Sequence, residues 1–197
     1  VSTAAATDVG PEEREVRQRC VLLLRAVNVS GRNRVPMAQL RALLSERLGL
    51  SDVATYIASG NVICPDPGDA AARADLCERV RLLIAGEFGV DTPVILRTRG
   101  QLLDALDRNP FPDAAHDKLL HVMFLAGPPA GGAEEALAAR LVPGERIALC
   151  GEDLWIDYAS SGVHGTKLTK SVLDRALGVA GTARNVRTVR TLAERTA

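Results

Sequence analysis

"DVATYIASGNVIC", residues 52–64, decides the fold. Two short runs rich in β-branched and aromatic residues meet at Ser59, Gly60 and Asn61, leaving no room for a helix between them. Gly-Asn is turn chemistry, so the stretch reads as two strands joined by a tight turn. Working outward on the N-terminal side, "PMAQLRALLSERLG" places Met37, Leu40, Leu43, Leu44 and Leu48 on one helical face. Pro36 suits its first turn and Gly49 its C-terminal cap. Before it, "CVLLLRAV", Cys20 to Val27, is a buried strand by its nearly unbroken apolar run. On the C-terminal side, the loop "PDPGD" leads into a helix from about Ala70 to Phe88, with Leu76, Val80, Leu83, Ile84 and Phe88 inward. Gly89 stops that helix, and "TPVILRT" supplies one more strand.

The order is β-α-β-β-α-β, the split arrangement of a ferredoxin-like unit. Right-handed crossovers then place both helices on one face of a four-stranded sheet. We read an α+β chain in three parts: a flexible lead-in at residues 1–18, the ferredoxin-like unit at 19–99, and a second, smaller and looser α+β unit at 100–197. In the last part, a helix from about Gln101 to Arg108 ends before the two prolines of "NPFP". The strand "KLLHVMFLAG" follows, then the helix "AEEALAARL" and the strands "RIALC" and "LWIDYA". Helices from Lys167 to Leu177 and from Val186 to Arg195 close the chain, and no internal sequence repeat is visible.

Composition narrows the function classes. Of 197 residues, 47% are apolar but only 3% aromatic, so the core is aliphatic, and the formal net charge is zero. A neutral chain gives no general attraction to nucleic acid or acidic membranes. Charge is uneven, however: six arginines and no acid lie between Val16 and Ser45. No apolar run reaches the length of a membrane span. The first residues lack an apolar signal core, and four scattered cysteines without a C-x-x-C pair suggest free thiols in a reducing cytoplasm.

Three stretches carry candidate chemistry. In "LLRAVNVSGRN", residues 23–33, Arg25 sits in an otherwise apolar strand, where an unpaired guanidinium would be costly. Asn28, Arg32 and Asn33 follow in a loop before a helix start, where free N–H groups and the helix dipole favour anions. In "SSGVHGTKLTK", residues 160–170, Thr166 is placed to cap a helix beginning at Lys167, without the spacing of a phosphate-binding Walker loop. In "TARNVRTVRTLAE", Asn185 reads as an N-cap, and Arg184, Arg187 and Arg190 recur every third residue, with Glu194 one turn beyond Arg190. His116, His121 and His164 show no familiar metal spacing, His121 alternates into an apolar strand, and no G-x-S-x-G elbow exists. No metal site, cofactor or catalytic residue is assigned.

"LLRAVNVSGRNRVPMAQLRALL", "TYIASGNVI", "NPFP", "LHVMFL", "GTKLT" and "TARNVRTV", taken in order, resemble the bacterial family known as domain of unknown function 1697. The resemblance runs from about Cys20 to Glu194 and implies an α+β fold with a ferredoxin-like portion, a cytosolic setting and no established activity. The family's first motif, approximately L-L-R-G-I-N-V-G-G-K-N, matches at Arg25, Asn28, Gly31 and Asn33, with Ala26 and Ser30 replacing two glycines. Thr166 stands where the family usually has Ser, and Val186 where it commonly has an aromatic.

The functional expectation is a small anionic, phosphate- or nucleotide-like ligand held between the two halves. Arg25, Asn28, Arg32 and Asn33 form one wall, and Thr166, Lys167, Arg184 and Asn185 the other. The alternatives are weak nucleic-acid binding through the basic patches and an assembly role for an exposed sheet face. The central strands "CVLLLRAV" and "NVIC" carry no aromatic for base stacking, which counts against RNA.

Overall fold

The computed structural model describes residues 18–29, 31–158 and 162–197. The lead-in expected to be flexible therefore lies, except for Gln18, outside the described residues. The elements run β1 (Arg19–Leu24), α1 (Met37–Leu48), β2 (Ala54–Tyr56), β3 (Asn61–Pro65), α2 (Ala70–Phe88), β4 (Val94–Thr98) and α3 (Arg99–Asp107). They continue β5 (Leu120–Leu125), α4 (Ala133–Ala138), β6 (Arg146–Cys150), β7 (Asp153–Asp157), α5 (Gly162–Gly165), α6 (Lys170–Leu177), β8 (Gly181–Asn185) and α7 (Val186–Arg195).

Local chemistry accounts for most boundaries. Gly49 and Gly89 end α1 and α2 in the left-handed conformation. Asp69 accepts from the Ala72 N–H at the start of α2, and Thr98 and Gln101 form a capping box on α3. Asn185 accepts from the Thr188 N–H, so α7 begins at Val186 as the sequence suggests. The helix expected from Lys167 instead begins at Lys170 and is capped by Thr169, which accepts from the Val172 N–H. Thr166 is occupied by the Leu168 N–H at 3.0 Å.

The larger correction concerns the second half. The first sheet has the antiparallel order β2-β3-β1-β4, and the second has the order β6-β7-β5-β8. Each places its first strand beside its third and fourth, so the looser unit is a second β-α-β-β-α-β sheet with the same topology. The element missing from the sequence reading is β8. Registers coincide as well. Leu23 pairs with Asn61 as Phe124 pairs with Asp153, and Val21 pairs with Arg97 as Val122 pairs with Arg184. The Leu24 N–H donates to the Gly60 carbonyl at 2.8 Å, and the Leu125 N–H to the Glu152 carbonyl at 2.9 Å.

Alternation along the strands sorts side chains into three cores. Cys20, Leu22 and Leu24 face α1 and α2, and Met123 and Leu125 face α4 and α6. The opposite faces share one core, in which Val21, Leu23 and Ile63 meet Val122, Phe124 and Trp155, together with Leu102 of α3 and Val189 and Leu192 of α7. The sheet face on which RNA-recognition modules stack bases is thus covered within the chain. The same burial removes the exposed sheet face on which the assembly reading rested.

Candidate functional site

Two clefts open where the ends of one sheet meet the other, each with an arginine at its base. Arg184 follows Ala183 on β8, and Arg97 follows Leu96 on β4; in both, the next residue caps a helix. Arg184 is 7% exposed. Its Nε donates to Asn61 Oδ1 at 2.6 Å, and Nη1 to Thr182 Oγ1 and the Ala183 carbonyl, both at 2.8 Å. Nη2 reaches the carbonyl of Leu24 at 2.9 Å and those of Ser59 and Gly60 at 3.1 Å. Every acceptor is neutral. Burial without a counter-charge pushes the guanidinium down to about 10. Buried charges are ordinarily paired, which makes an arginine with only neutral partners unusual.

The cleft around it has a volume of about 550 Å³ and passes along β8 between β1 and α6. Arg25, Lys170 and Asn185 line it with Arg184, while Met123, Leu168 and Leu173 supply apolar wall. Arg25 is not free: it pairs with Asp174 of α6, which Lys170 also reaches at 3.2 Å. Burial pushes Asp174 up, but hydrogen bonds from Arg25 and Lys170 outweigh it and hold the carboxyl below its usual range. His121 lines the opposite side of β8. Its Nδ1 lies 3.2 Å from the Leu119 carbonyl, and its ring meets Tyr158 edge-on at 5.1 Å. Burial lowers the imidazole's pKa and raises that of the Tyr158 phenol to about 12, so both are neutral near pH 7.

The mouth is strained. Ala26, Asn28, Asn33 and Ile57 all adopt positive φ, and Ile57 is β-branched at φ 49° with half its surface exposed. Asn28 makes this turn hold: it accepts from the Val35 N–H at 2.9 Å and donates to the carbonyls of Val35 and Ala58 at 2.9 and 2.8 Å. Gly60 must approach the end of β1 closely, since a Cβ there would lie 2.7 Å from Leu24 Cβ.

Of the eight residues singled out in the sequence, the cleft gathers Arg25, Arg184 and Asn185. Asn28 and Asn33 are spent on the turn, Asn33 donating to the Ala26 carbonyl at 3.0 Å. Arg32 and Lys167 are exposed and line no part of the cleft. Thr166 serves the Leu168 turn, and Ser30, Ser160 and Ser161 lie outside the described residues. The arginine row dissolves: Arg184 is a strand residue, Arg187 is exposed, and Arg190 pairs with Asp117 rather than Glu194. Lys170, Asp174, Asn61 and Tyr158 escaped the sequence reading. Lys170 and Asp174 stand four residues apart on α6, a spacing common to solvent-facing helix pairs.

The Arg97 cleft is built differently. Arg97 Nη2 donates to the Leu125 carbonyl at 2.6 Å and Nη1 to the Leu96 carbonyl at 3.0 Å. Asp153 and Glu152 supply negative charge beside it, and Arg108 lies 3.7 Å from Asp153. Burial still lowers the Arg97 pKa and raises that of Asp153. No group of three or more His, Cys, Asp or Glu side chains among the described residues could hold a metal. Cys20 and Cys64 are buried free thiols facing each other at 3.7 Å. Among the described residues, no helix is long and apolar enough to cross a membrane.

A family described as "Protein of unknown function (DUF1697)" matches residues 17–155, so the motifs "GTKLT" and "TARNVRTV" lie beyond the matched stretch. The fold is similar to that of a conserved bacterial protein from Streptococcus pneumoniae, with a TM-score of 0.71 and 22% identity. That likeness covers 91% of this chain and 99% of the other. No curated protein matches.

Proposed function

The chain belongs to this family of unknown function, and from the two clefts we propose that it binds a small anionic, phosphate- or nucleotide-like ligand beside Arg184. One observation carries the reading: a guanidinium 7% exposed whose partners are all neutral, at the base of a cleft also lined by Arg25 and Lys170. An anion entering the cleft supplies the missing counter-charge in a setting where water screens little. Arg184 acts through its field, because its N–H groups are already engaged. Direct contact falls to the exposed Lys170 ammonium and to the Asn185 amide, whose oxygen caps α7 and whose nitrogen remains to donate. The strained turn at Ile57 supports the same place, since strained backbone collects at binding sites.

The test is thermal unfolding with millimolar phosphate, sulfate and nucleoside monophosphates at constant ionic strength. A ligand at 100 times its Kd stabilises the fold by about 2.7 kcal/mol. The expected result is a rise in melting temperature that Lys170→Gln reduces. Failure of all these anions to move it overturns the reading.

A further inference from the structure

We infer that the ligand of this cleft carries a ring-sized apolar body next to its negative group, as an aryl or nucleoside monophosphate does, and is not a bare inorganic anion. The inference rests on the anion-binding reading and adds the chemistry of the ligand's uncharged part.

Three observations on different elements carry it. First, four large apolar side chains are exposed among the described residues, and three of them, Val29, Ile57 and Val163, stand at this cleft. They come from the β1–α1 loop, the β2–β3 turn and α5, so their meeting is a product of the fold and not of one apolar stretch. Clustered apolar exposure rimmed by polar groups marks a place where something apolar docks. Second, the volume is wrong for a small ion. At about 30 Å³ of liquid per water molecule, 550 Å³ holds roughly 18 waters. That is the range of pockets for organic ligands, which combine apolar walls with a few directed polar groups.

Third, the cleft has two chemically distinct sides, because β8 is an edge strand and its alternate residues face opposite ways. Thr182 and Arg184 point toward the other sheet and bring the guanidinium charge to that side, while Lys170 stands on α6. Beyond Ala183, on the opposite face, Met123, Leu168 and Leu173 form apolar wall around His121 and Tyr158. With Nδ1–H directed at the Leu119 carbonyl, His121 keeps Nε2 as a lone-pair acceptor in that wall. The polar complement is therefore cations for one end of the ligand and an acceptor for an N–H or O–H on its ring.

Calorimetric titration of the full chain with inorganic phosphate, phenyl phosphate, adenosine monophosphate and phenol separates the terms. Phenyl phosphate is expected to bind about tenfold or more tighter than inorganic phosphate, because its ring leaves water. Phenyl phosphate and adenosine monophosphate distinguish a plain aryl body from a base with ring donors, and either one outbinding inorganic phosphate supports the inference. Ile57→Asn relieves the left-handed strain at an exposed site, so it keeps the fold while reducing the ratio of phenyl phosphate to inorganic phosphate affinity. Affinity for phenyl phosphate and for adenosine monophosphate no greater than for inorganic phosphate, with unchanged ratios in Ile57→Asn, overturns the inference and leaves the anion reading intact. Phenol binding as tightly as phenyl phosphate overturns the anion reading, and absence of binding by all four overturns both.

Discussion

Arg97 and Arg184 hold corresponding places in the two halves of the molecule, and both donate to carbonyls, yet carboxylates stand near the first and only neutral oxygens surround the second. Each leaves the fourth strand of its own sheet and donates to the carbonyl that ends the first strand of the other, Arg97 to Leu125 and Arg184 to Leu24. The residue opening the third strand is Asp153 beside Arg97 and Asn61 beside Arg184. The residue before it is Glu152 in one case and Gly60 in the other. The same cross-sheet clasp is thus internally neutralised at one end of the molecule and left positive at the other. The lesson is that the clasp itself does not require an uncompensated cation. The Arg184 end departs from the scheme, and the departure coincides with the apolar mouth and the strained turn.

The largest expected effect comes from removing each clasp. Arg184→Leu leaves Asn61 and the carbonyls of Leu24, Ser59 and Gly60 without their donor, and should cost on the order of 3–5 kcal/mol in urea unfolding. Arg97→Leu releases two carbonyls, while Asp153 keeps Arg108 nearby, so about 2 kcal/mol is expected. Equal losses would break the comparison. Gly60→Ala comes next. At φ 80° its Cβ would lie 2.7 Å from Leu24 Cβ as well as 2.6 Å from Val27 Cγ2, and about 2–3 kcal/mol should be lost. Glu152→Ala, at the corresponding place, should change stability by only about 0.5 kcal/mol in the same measurement.

How much of this is legible in the sequence depends on what each residue faces. The first sheet and all of α2 follow from apolar periodicity and glycine stops, because both faces of that sheet and the inner face of α2 meet apolar cores. Strand β8, "GTARN", has no such signature. Its inward residues are Thr182 and Arg184, polar because they reach the Leu24 carbonyl of the other sheet at 3.1 and 2.9 Å. A contact made 158 or 160 positions away leaves no local periodicity, and without β8 the second sheet looks irregular. The duplication hides for the same reason, since the paired positions carry Gly and Glu, or Asn and Asp. Arg25 stands out as a charge within an apolar run, but the strand ends at Leu24, one residue before it, and its partner Asp174 is partly exposed on α6. Asn28 and Asn33 were loop residues with the right chemistry for a ligand, but the turn itself consumes their amides.

Asn61→Asp sharpens the comparison by giving Arg184 the carboxylate that Arg97 already has. The change costs the donation from Asn61 Nδ2 to the Tyr56 carbonyl at 3.0 Å, so a modest drop in melting temperature is expected. Anion affinity should fall about tenfold, or 1.4 kcal/mol, because the counter-charge is then built in. Asp153→Asn at the other end is the reciprocal control, and it should leave binding in the Arg184 cleft unchanged.

The smallest effect tests the second asymmetry. The residue following the first strand is Arg25 in one half and Ala126 in the other. The helix residue whose carbonyl receives the capping glycine N–H is Asp174 in α6 and Ala85 in α2. The Arg25–Asp174 bridge therefore ties β1 to α6 across one cleft alone. Asp174 is 36% exposed at its side chain, so the bridge contributes at most about 1 kcal/mol. Its sign with pH follows from a carboxyl held below its ordinary value of 3.8. The contribution is present above that value, where the unfolded chain is also ionised, and is lost as pH falls through the lower folded value. Asp174→Asn should be less stable than the parent at pH 6, with the gap closing below pH 3.8. A gap that persists at pH 2 would mean that Asp174 holds α6 by packing and hydrogen bonding that survive protonation, and the bridge would not be what distinguishes the two clefts.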